Sequence, residues 1–133
     1  MLRWSLVLLA LLIALPSHAI SLRDMRLQET LSSVAKASSE GTPRAVNEDI
    51  TDLGFHAEGR ELINRLAVEP DYAERMQEDP VLIRSQLQSS VCSNQRFRQL
   101  MDMGATLSYH FVLKDSEQPV LTQSFIANHC HSL

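Results

Sequence analysis

The C-terminal run His129-Cys130-His131 contains the residue types of a metal site. Imidazole nitrogen and thiolate sulfur are common Zn²⁺ ligands, and Cys92 would supply a fourth. In an extended chain, however, His129 and His131 point to one side and Cys130 to the other. The spacing also differs from closed zinc sites, whose ligand pairs are separated by two or more residues. We therefore keep His129 and His131 only as weak metal candidates and expect no cofactor.

A disulfide is the simpler use of the two cysteines, Cys92 and Cys130, which are the only ones in the sequence. In an exported protein such a pair meets an oxidising compartment and normally becomes a bridge. For a loop of this length, the chain-entropy model gives a stabilisation of about 4 kcal/mol. Oxidation would also remove Cys130 as a nucleophile beside its flanking histidines.

Other catalytic patterns are weak. The sequence contains no Gly-x-Ser-x-Gly elbow, and its glycines are too scattered to form a phosphate-binding loop. Asn47-Glu48-Asp49 with Asp52 could be proposed as a calcium site or as paired carboxylates, but the EF-hand order of ligands is absent. We expect a solvated loop or strand edge there, and we predict that the protein is not an enzyme.

The first nineteen residues have the three parts of a secretory signal peptide. Arg3 gives a positive start, residues 5–15 are almost entirely apolar, and Pro16-Ser17-His18-Ala19 ends in small residues, which predicts cleavage after Ala19. An apolar stretch of about eleven residues is shorter than the roughly 20 that a spanning helix needs. We expect an exported protein, periplasmic or secreted, with no stable membrane anchor after cleavage.

Residues 20–133 have the length of a single domain, which buries one modest core. Without Arg3 the chain has 11 basic and 16 acidic residues, a net charge of −5 with neutral histidines. Nucleic acids and anionic membrane surfaces both require a basic face. The charge therefore argues against both as partners.

The first half of this domain predicts a helix followed by a β-hairpin. Ser21 and Asp24 resemble a capping box, apolar residues then recur at helical spacing, and Gly41-Thr42-Pro43 ends the helix. Residues 46–55 fit an extended segment with a turn at residues 56–59. Residues 61–68 fit either a strand or a helix, and we favour the strand because the segment is short and lies between a glycine turn and Pro70.

The second half predicts central helices and a second hairpin. Helices begin at Pro70, at Pro80 after the cap Asp79, and after Ser93, so that Cys92 lies at a helix junction. Residues 105–113 alternate between apolar and polar, and their aromatics Tyr109 and Phe111 are expected in the core rather than in a pocket. A polar turn leads to a strand over 120–127 that Cys130 ends. The sequence thus predicts an α+β fold in which helices pack on an antiparallel sheet.

Several segments, spread over most of the mature chain, carry a family resemblance. They are Gly41 to Ile50, Glu61 to Asn64, Arg84 to Leu87, Val91 to Asn94 and Phe97 to Leu100, with Gly104-Ala105 and Cys130. In this series the chain resembles a small family of secreted Pseudomonas-type proteins described as quorum-sensing-regulated virulence factors. The family is a domain of unknown function. The resemblance therefore implies export, a mixed α and β fold and a link to virulence, and it assigns no catalytic residue.

We weigh three functions. The leading hypothesis is a non-enzymatic factor that binds another protein. A small acidic domain that is cross-linked by a disulfide and has no recognisable set of catalytic residues suits that role. The alternative is a small-ligand or metal-binding protein, with His110, His129 and His131 as the visible polar candidates. A hydrolase of envelope polymers would need two carboxylates, or a nucleophile and a base, in a deep pocket.

Overall fold

Four α-helices and five β-strands are present in residues 21–131, the part of the chain that this computed structural model describes. The predicted signal peptide, residues 1–19, lies outside the described residues. None of the described helices is both long and apolar enough to cross a membrane. In chain order the elements are α1 (Leu22–Ser38), β1 (Arg44–Ala45), β2 (Ile50–Glu58), β3 (Glu61–Val68), α2 (Pro70–Glu78), α3 (Pro80–Ser93), α4 (Gln95–Asp102), β4 (Thr106–Leu113), β5 (Pro119–Phe125) and a 3₁₀ turn (Ala127–Cys130).

The five strands form one sheet in the order β1-β2-β3-β4-β5, and three of its four pairings are antiparallel. The α+β class and the predicted element order are confirmed, and residues 61–68 form a strand. The prediction of an antiparallel sheet needs one correction, because β3 and β4 pair in parallel. A parallel pair requires a crossover connection, which α2, α3 and α4 supply. The sequence patterns predicted each hairpin separately and did not indicate the direction in which β3 and β4 pair.

The helices pack on one face of this sheet. Side chains alternate along a strand, so Leu62 and Leu66 of β3 share a face with Leu107 and Phe111 of β4. The buried side chains of α1, α3 and α4 surround Leu62 and Leu107, and those of α2 contact Leu66 and Phe111. As predicted, α1 begins at Ser21, whose Oγ accepts a hydrogen bond from the Asp24 backbone N–H at 3.1 Å.

Strand β2 differs from its predicted limits, 46–55. The Asn47 side-chain Oδ1 accepts hydrogen bonds from the backbone N–H groups of Asp49 and Ile50, so residues 46–49 turn instead of extending. At its other end the strand continues to Glu58, because the hairpin turn is confined to Gly59 and Arg60.

A bulge in β2 brings the end of α1 against the strand. The register shifts between Asp52 and Gly54, and Gly54 has a φ of 108°, which favours glycine. Ser39 Oγ donates to the Phe55 carbonyl at 3.0 Å and accepts from the Phe55 N–H at 2.8 Å. A Cβ on Gly54 would lie 3.1 Å from Ser39 Oγ and 3.0 Å from Thr42 Oγ1. Only glycine leaves room for this contact.

The C-terminal end also differs from the prediction. Strand β5 ends at Phe125, and Cys130 lies in the 3₁₀ turn rather than at the end of a strand. The turn forms because the Ile126 N–H donates to His129 Nδ1 at 2.9 Å.

On the outer side of β5, Gln77 donates to the Val120 carbonyl and Arg84 to the Ser124 carbonyl.

The Sγ atoms of Cys92 and Cys130 lie 2.03 Å apart, at disulfide distance. Cys92 is in the last turn of α3. The next helix, α4, has Asn94 as its N-cap, one residue after the predicted start at Ser93. Both cysteines belong to the main core cluster. The bridge therefore joins the end of the helical crossover to the end of the sheet.

Loss of this bridge should destabilise the whole domain. We expect Cys92→Ser and Cys130→Ser each to lower the free energy of unfolding by up to about 4 kcal/mol, and the double variant to lose no more than either single one, because all three remove one bond. Denaturant unfolding of the mature protein measures this loss. If a thiol titration of denatured, freshly exported protein detected two reactive thiols per chain, the disulfide would be disproved and the metal hypothesis would be open again.

The contact at the β2 bulge gives a second prediction. Gly54→Ala should cost about 2–3 kcal/mol, because it adds backbone strain at positive φ and displaces Ser39 from Phe55. Gly104→Ala is the matched control: Gly104 has nearly the same φ, 105°, and the nearest atom to an added Cβ is Leu27 Cδ2 at 3.9 Å, so only the strain of about 1–2 kcal/mol applies. Equal losses for the two variants in thermal or denaturant unfolding would show that the Ser39 contact contributes nothing.

Candidate functional site

An apolar cavity of about 250 Å³ lies between the helix-facing side of the sheet and helices α2 and α3. We call it the sheet–helix cleft. The sheet and the loop before it contribute the apolar side chains Val46, Ile50, Leu66 and Phe111. The helices contribute Tyr72, Met76, Ile83 and Leu87. Three neutral polar residues complete the lining: Asn64, Gln86 and Tyr109.

The junction of α2 and α3 keeps this cleft open. Asp79 ends α2, and its side chain accepts a hydrogen bond from the Leu82 N–H at the start of α3. Pro80 follows at the first helical position, where its missing N–H costs nothing. The chain therefore turns sharply after one short helix. Met76 is buried against the sheet, whereas Ile83 stays half-buried at the mouth of the cleft.

The cleft continues onto an exposed apolar surface. A second cavity of about 180 Å³ shares Tyr72, Met76, Ile83 and Gln86 with the first, and also contacts Leu82. Leu82 is 50 % exposed, and its neighbour Val81 is 76 % exposed. Among the other apolar side chains of α3, Val91 is fully buried and Leu87 is half-buried. Exposed apolar residues that adjoin a cavity are typical of binding surfaces.

Asn64 lies at the floor of the cleft, and hydrogen bonds to residues of β2 fix its side chain. It is 6 % exposed, and its Nδ2 donates to Asp52 Oδ1 at 2.9 Å and to the Gly54 carbonyl at 3.1 Å. Both amide protons are thereby used, which fixes the side-chain orientation. The remaining polar atom of Asn64 is its carbonyl oxygen Oδ1, a hydrogen-bond acceptor.

Tyr109 lies beside Asn64 on the neighbouring strand, since the two are register partners of the parallel β3–β4 pair. Burial raises the pKa of the Tyr109 phenol to about 12, because the charged phenolate is poorly solvated there. The hydroxyl therefore stays protonated at physiological pH. Tyr109 and Phe111 were expected in the core. Phe111 is buried there, but both residues also line the cleft, so the prediction that they would not line a pocket is wrong.

The acidic cluster of the sequence is divided by the fold. Glu48 is exposed and Asp49 lies 3.8 Å from Arg75 at the rim of the cleft, consistent with the expected solvated loop. Asp52 instead is buried, and the expectation of a solvated carboxylate is wrong for it. Its Oδ1 accepts hydrogen bonds from Gly54 N–H and Asn64, and Arg44 lies 3.8 Å from its Oδ2. These donors replace the water that burial removes.

The histidine candidates are not brought together. His129 accepts the Ile126 N–H through Nδ1 and packs edge-on against Phe125, while His131 is exposed. His110 is the register partner of Arg65 and Thr122, on the sheet face opposite Tyr109. Over residues 21–131 no group of three or more His, Cys, Asp or Glu side chains is placed to hold a metal ion.

The Tyr109 phenol gives a prediction for alkaline pH. Between pH 10 and 12 the unfolded chain loses this proton while the folded protein keeps it, so the free energy of unfolding falls as pH rises, by up to about 3 kcal/mol. In Tyr109→Phe this part of the decline should disappear. Unfolding curves across this range measure the slope, and ultraviolet titration detects the phenolate. If the slope of unfolding free energy against pH were unchanged in Tyr109→Phe, the Tyr109 hydroxyl would have to be solvent-exposed in the folded protein.

No curated protein sequence matches the chain. The crystal structure of a "putative secreted protein" from Pseudomonas aeruginosa is 51 % identical, with a TM-score of 0.81, and the match covers 84 % of this chain and 98 % of that one.

Two pilotins of type II secretion systems share the fold at low identity. The Vibrio vulnificus pilotin EpsS is 16 % identical with a TM-score of 0.69, over 82 % of this chain and 96 % of its own. The Vibrio cholerae pilotin AspS is 18 % identical with a TM-score of 0.65, over 81 % and 95 %. A family model matches residues 20–131, nearly the whole predicted mature chain. The chain belongs to the family described as "putative quorum-sensing-regulated virulence factor".

Proposed function

We propose that this protein is an exported, non-enzymatic binding protein that holds an apolar segment of a partner protein in the sheet–helix cleft. The observation that carries the proposal is the continuity of the cleft, through the adjoining cavity, with the half-exposed side chain of Leu82. Burying one large apolar side chain of a partner contributes about 1.5–3 kcal/mol. Two or three such side chains along this surface are enough for specific binding.

The cleft lining favours binding over catalysis. Its polar groups, on Asn64, Tyr72, Gln86 and Tyr109, are all neutral, and among the described residues that line it there is no Asp, Glu, His, Cys or Ser. A hydrolase of envelope polymers needs two carboxylates, or a nucleophile and a base, within reach of the substrate. The size also favours a side chain over a free metabolite, because about 250 Å³ lies below the usual 300–1,000 Å³ of small-molecule sites.

The charges around the cleft suggest the composition of the partner segment. Asp49 and Asp79 lie on or next to the rim, where Arg75 is 3.8 Å from Asp49. The whole predicted mature chain carries an excess of acidic residues as well. Basic residues in a partner would be attracted to this rim, mainly through faster association. We therefore infer a partner segment of apolar residues flanked by Lys or Arg.

The relatives support a protein partner and export. Pilotins belong to a secretion system, which is an assembly of proteins, and two of them use this fold. The Pseudomonas aeruginosa relative is described as secreted. The signal-like N-terminal residues 1–19 agree with export to the periplasm or beyond it.

Site-specific photocrosslinking tests this function in cells that export the full chain. A photoreactive residue at Leu82, beside the cleft, should give a discrete adduct with another polypeptide in the periplasmic or the medium fraction. The same residue at Ser33, on the exposed side of α1, is the matched control and should give none. Ile83→Lys should abolish the Leu82 adduct, because it places a charge at the mouth of an apolar cleft.

Two outcomes would contradict the proposal. One is the absence of any Leu82-specific adduct in both fractions. The other is an adduct that forms equally from Leu82 and Ser33, or that persists in Ile83→Lys. Circular dichroism and thermal unfolding of each variant show whether it keeps the fold.

A further inference from the structure

We propose that the floor of the sheet–helix cleft recognises a side-chain carboxamide, of glutamine or asparagine, in the partner segment. The proposal rests on the proposed function and adds a chemical requirement to it. Apolar contacts along the cleft would supply affinity, and the paired polar groups of Asn64 and Tyr109 would select one residue type at the deepest position.

The first half of the recognition pair is a fixed acceptor. Asn64 Nδ2 donates one proton to Asp52 and the other to the Gly54 carbonyl. No described residue donates a hydrogen bond to Asn64 Oδ1. Every fully buried side-chain oxygen or nitrogen of residues 21–131 has a hydrogen-bond partner. An unbonded Oδ1 must therefore reach open space, and the space that Asn64 lines is the cleft.

The second half is the Tyr109 hydroxyl, which also has no hydrogen-bond partner among the described residues and lines the same cavity. Parallel pairing places Tyr109 directly beside Asn64 on the same sheet face. Because burial keeps this phenol protonated, Tyr109 offers a hydrogen-bond donor in the same cleft as the Asn64 acceptor. An incoming group that satisfies both must present a donor and an acceptor.

Charged side chains fit this floor poorly. The cleft lining contains no ionised residue to pair with them, and an unpaired charge is costly to bury. A carboxylate would in addition face the Asn64 oxygen with no proton to donate. A purely apolar side chain would leave Oδ1 and the hydroxyl without the water they otherwise contact.

The carboxamide meets both requirements. It carries its donor and its acceptor on two different atoms, so each can meet one of the two neighbouring groups. A hydroxyl has a single oxygen that would have to reach both. A glutamine side chain also has an apolar stem that can pass between Ile83 and Leu66 on its way to the floor.

Selection from a random-peptide display library tests the requirement. The targets are the purified mature protein, Tyr109→Phe, which removes the floor donor, and Tyr72→Phe, a matched control that removes another phenol hydroxyl from the cleft wall. We expect the wild-type protein and Tyr72→Phe to enrich Gln or Asn at one position between apolar residues. Tyr109→Phe should still select apolar peptides but lose this enrichment.

Affinities of the best peptide then measure the effect. Replacing its Gln by Leu or by Glu should weaken binding to the wild-type protein roughly tenfold, the equivalent of one or two hydrogen bonds. For Tyr109→Phe the difference between Gln and Leu should shrink to about threefold or less.

The outcomes separate the two proposals. Peptides that bind the wild-type protein and are lost on Ile83→Lys, but show no Gln or Asn preference or keep it in Tyr109→Phe, overturn the carboxamide requirement and leave cleft binding intact. If no selected peptide depends on Ile83, both proposals fail.

Discussion

The parallel pairing of β3 with β4 is the constraint on which the remaining architecture depends. Two strands that run in the same direction cannot be joined by a tight turn, so a crossover of three helices has to return along one face of the sheet. That return sets α2 and α3 toward the β5 side of the sheet and leaves the cleft between these two helices and the sheet. It also fixes the floor, because the parallel register puts Asn64 beside Tyr109.

A buried polar group at the centre of β2 links this floor to the rest of the sheet. Asp52 accepts from both the Gly54 N–H and Asn64, so one carboxylate stabilises the bulge and orients the amide. The same bulge brings Ser39, just after α1, onto Phe55. Buried networks of this kind favour one conformation, because a rearrangement would leave the Asp52 carboxylate or the Asn64 amide protons unpaired in the core.

Local patterns predicted the elements well and their assembly poorly. Alternation identified β4, glycine and proline identified the helix ends, and the two cysteines suggested a bridge that the structure places at bonding distance. The parallel pairing, the burial of Asp52 and the cleft depend on contacts between distant segments, which spacing along the chain does not encode. Leu82 shows the difficulty, because its residue type suits a core stripe, whereas the turn at Asp79 and Pro80 leaves it half-exposed.

The hydrogen bonds at the two borders of the sheet bear on self-association. Where β2 extends beyond the two-residue strand β1, Ser39 occupies both backbone groups of Phe55, and at the opposite border Gln77 and Arg84 occupy the carbonyls of Val120 and Ser124. A free strand edge is a template for another strand, and these side chains take the positions that such a strand would use. The sheet is therefore protected against growth into polymers although apolar side chains such as Leu82 are exposed.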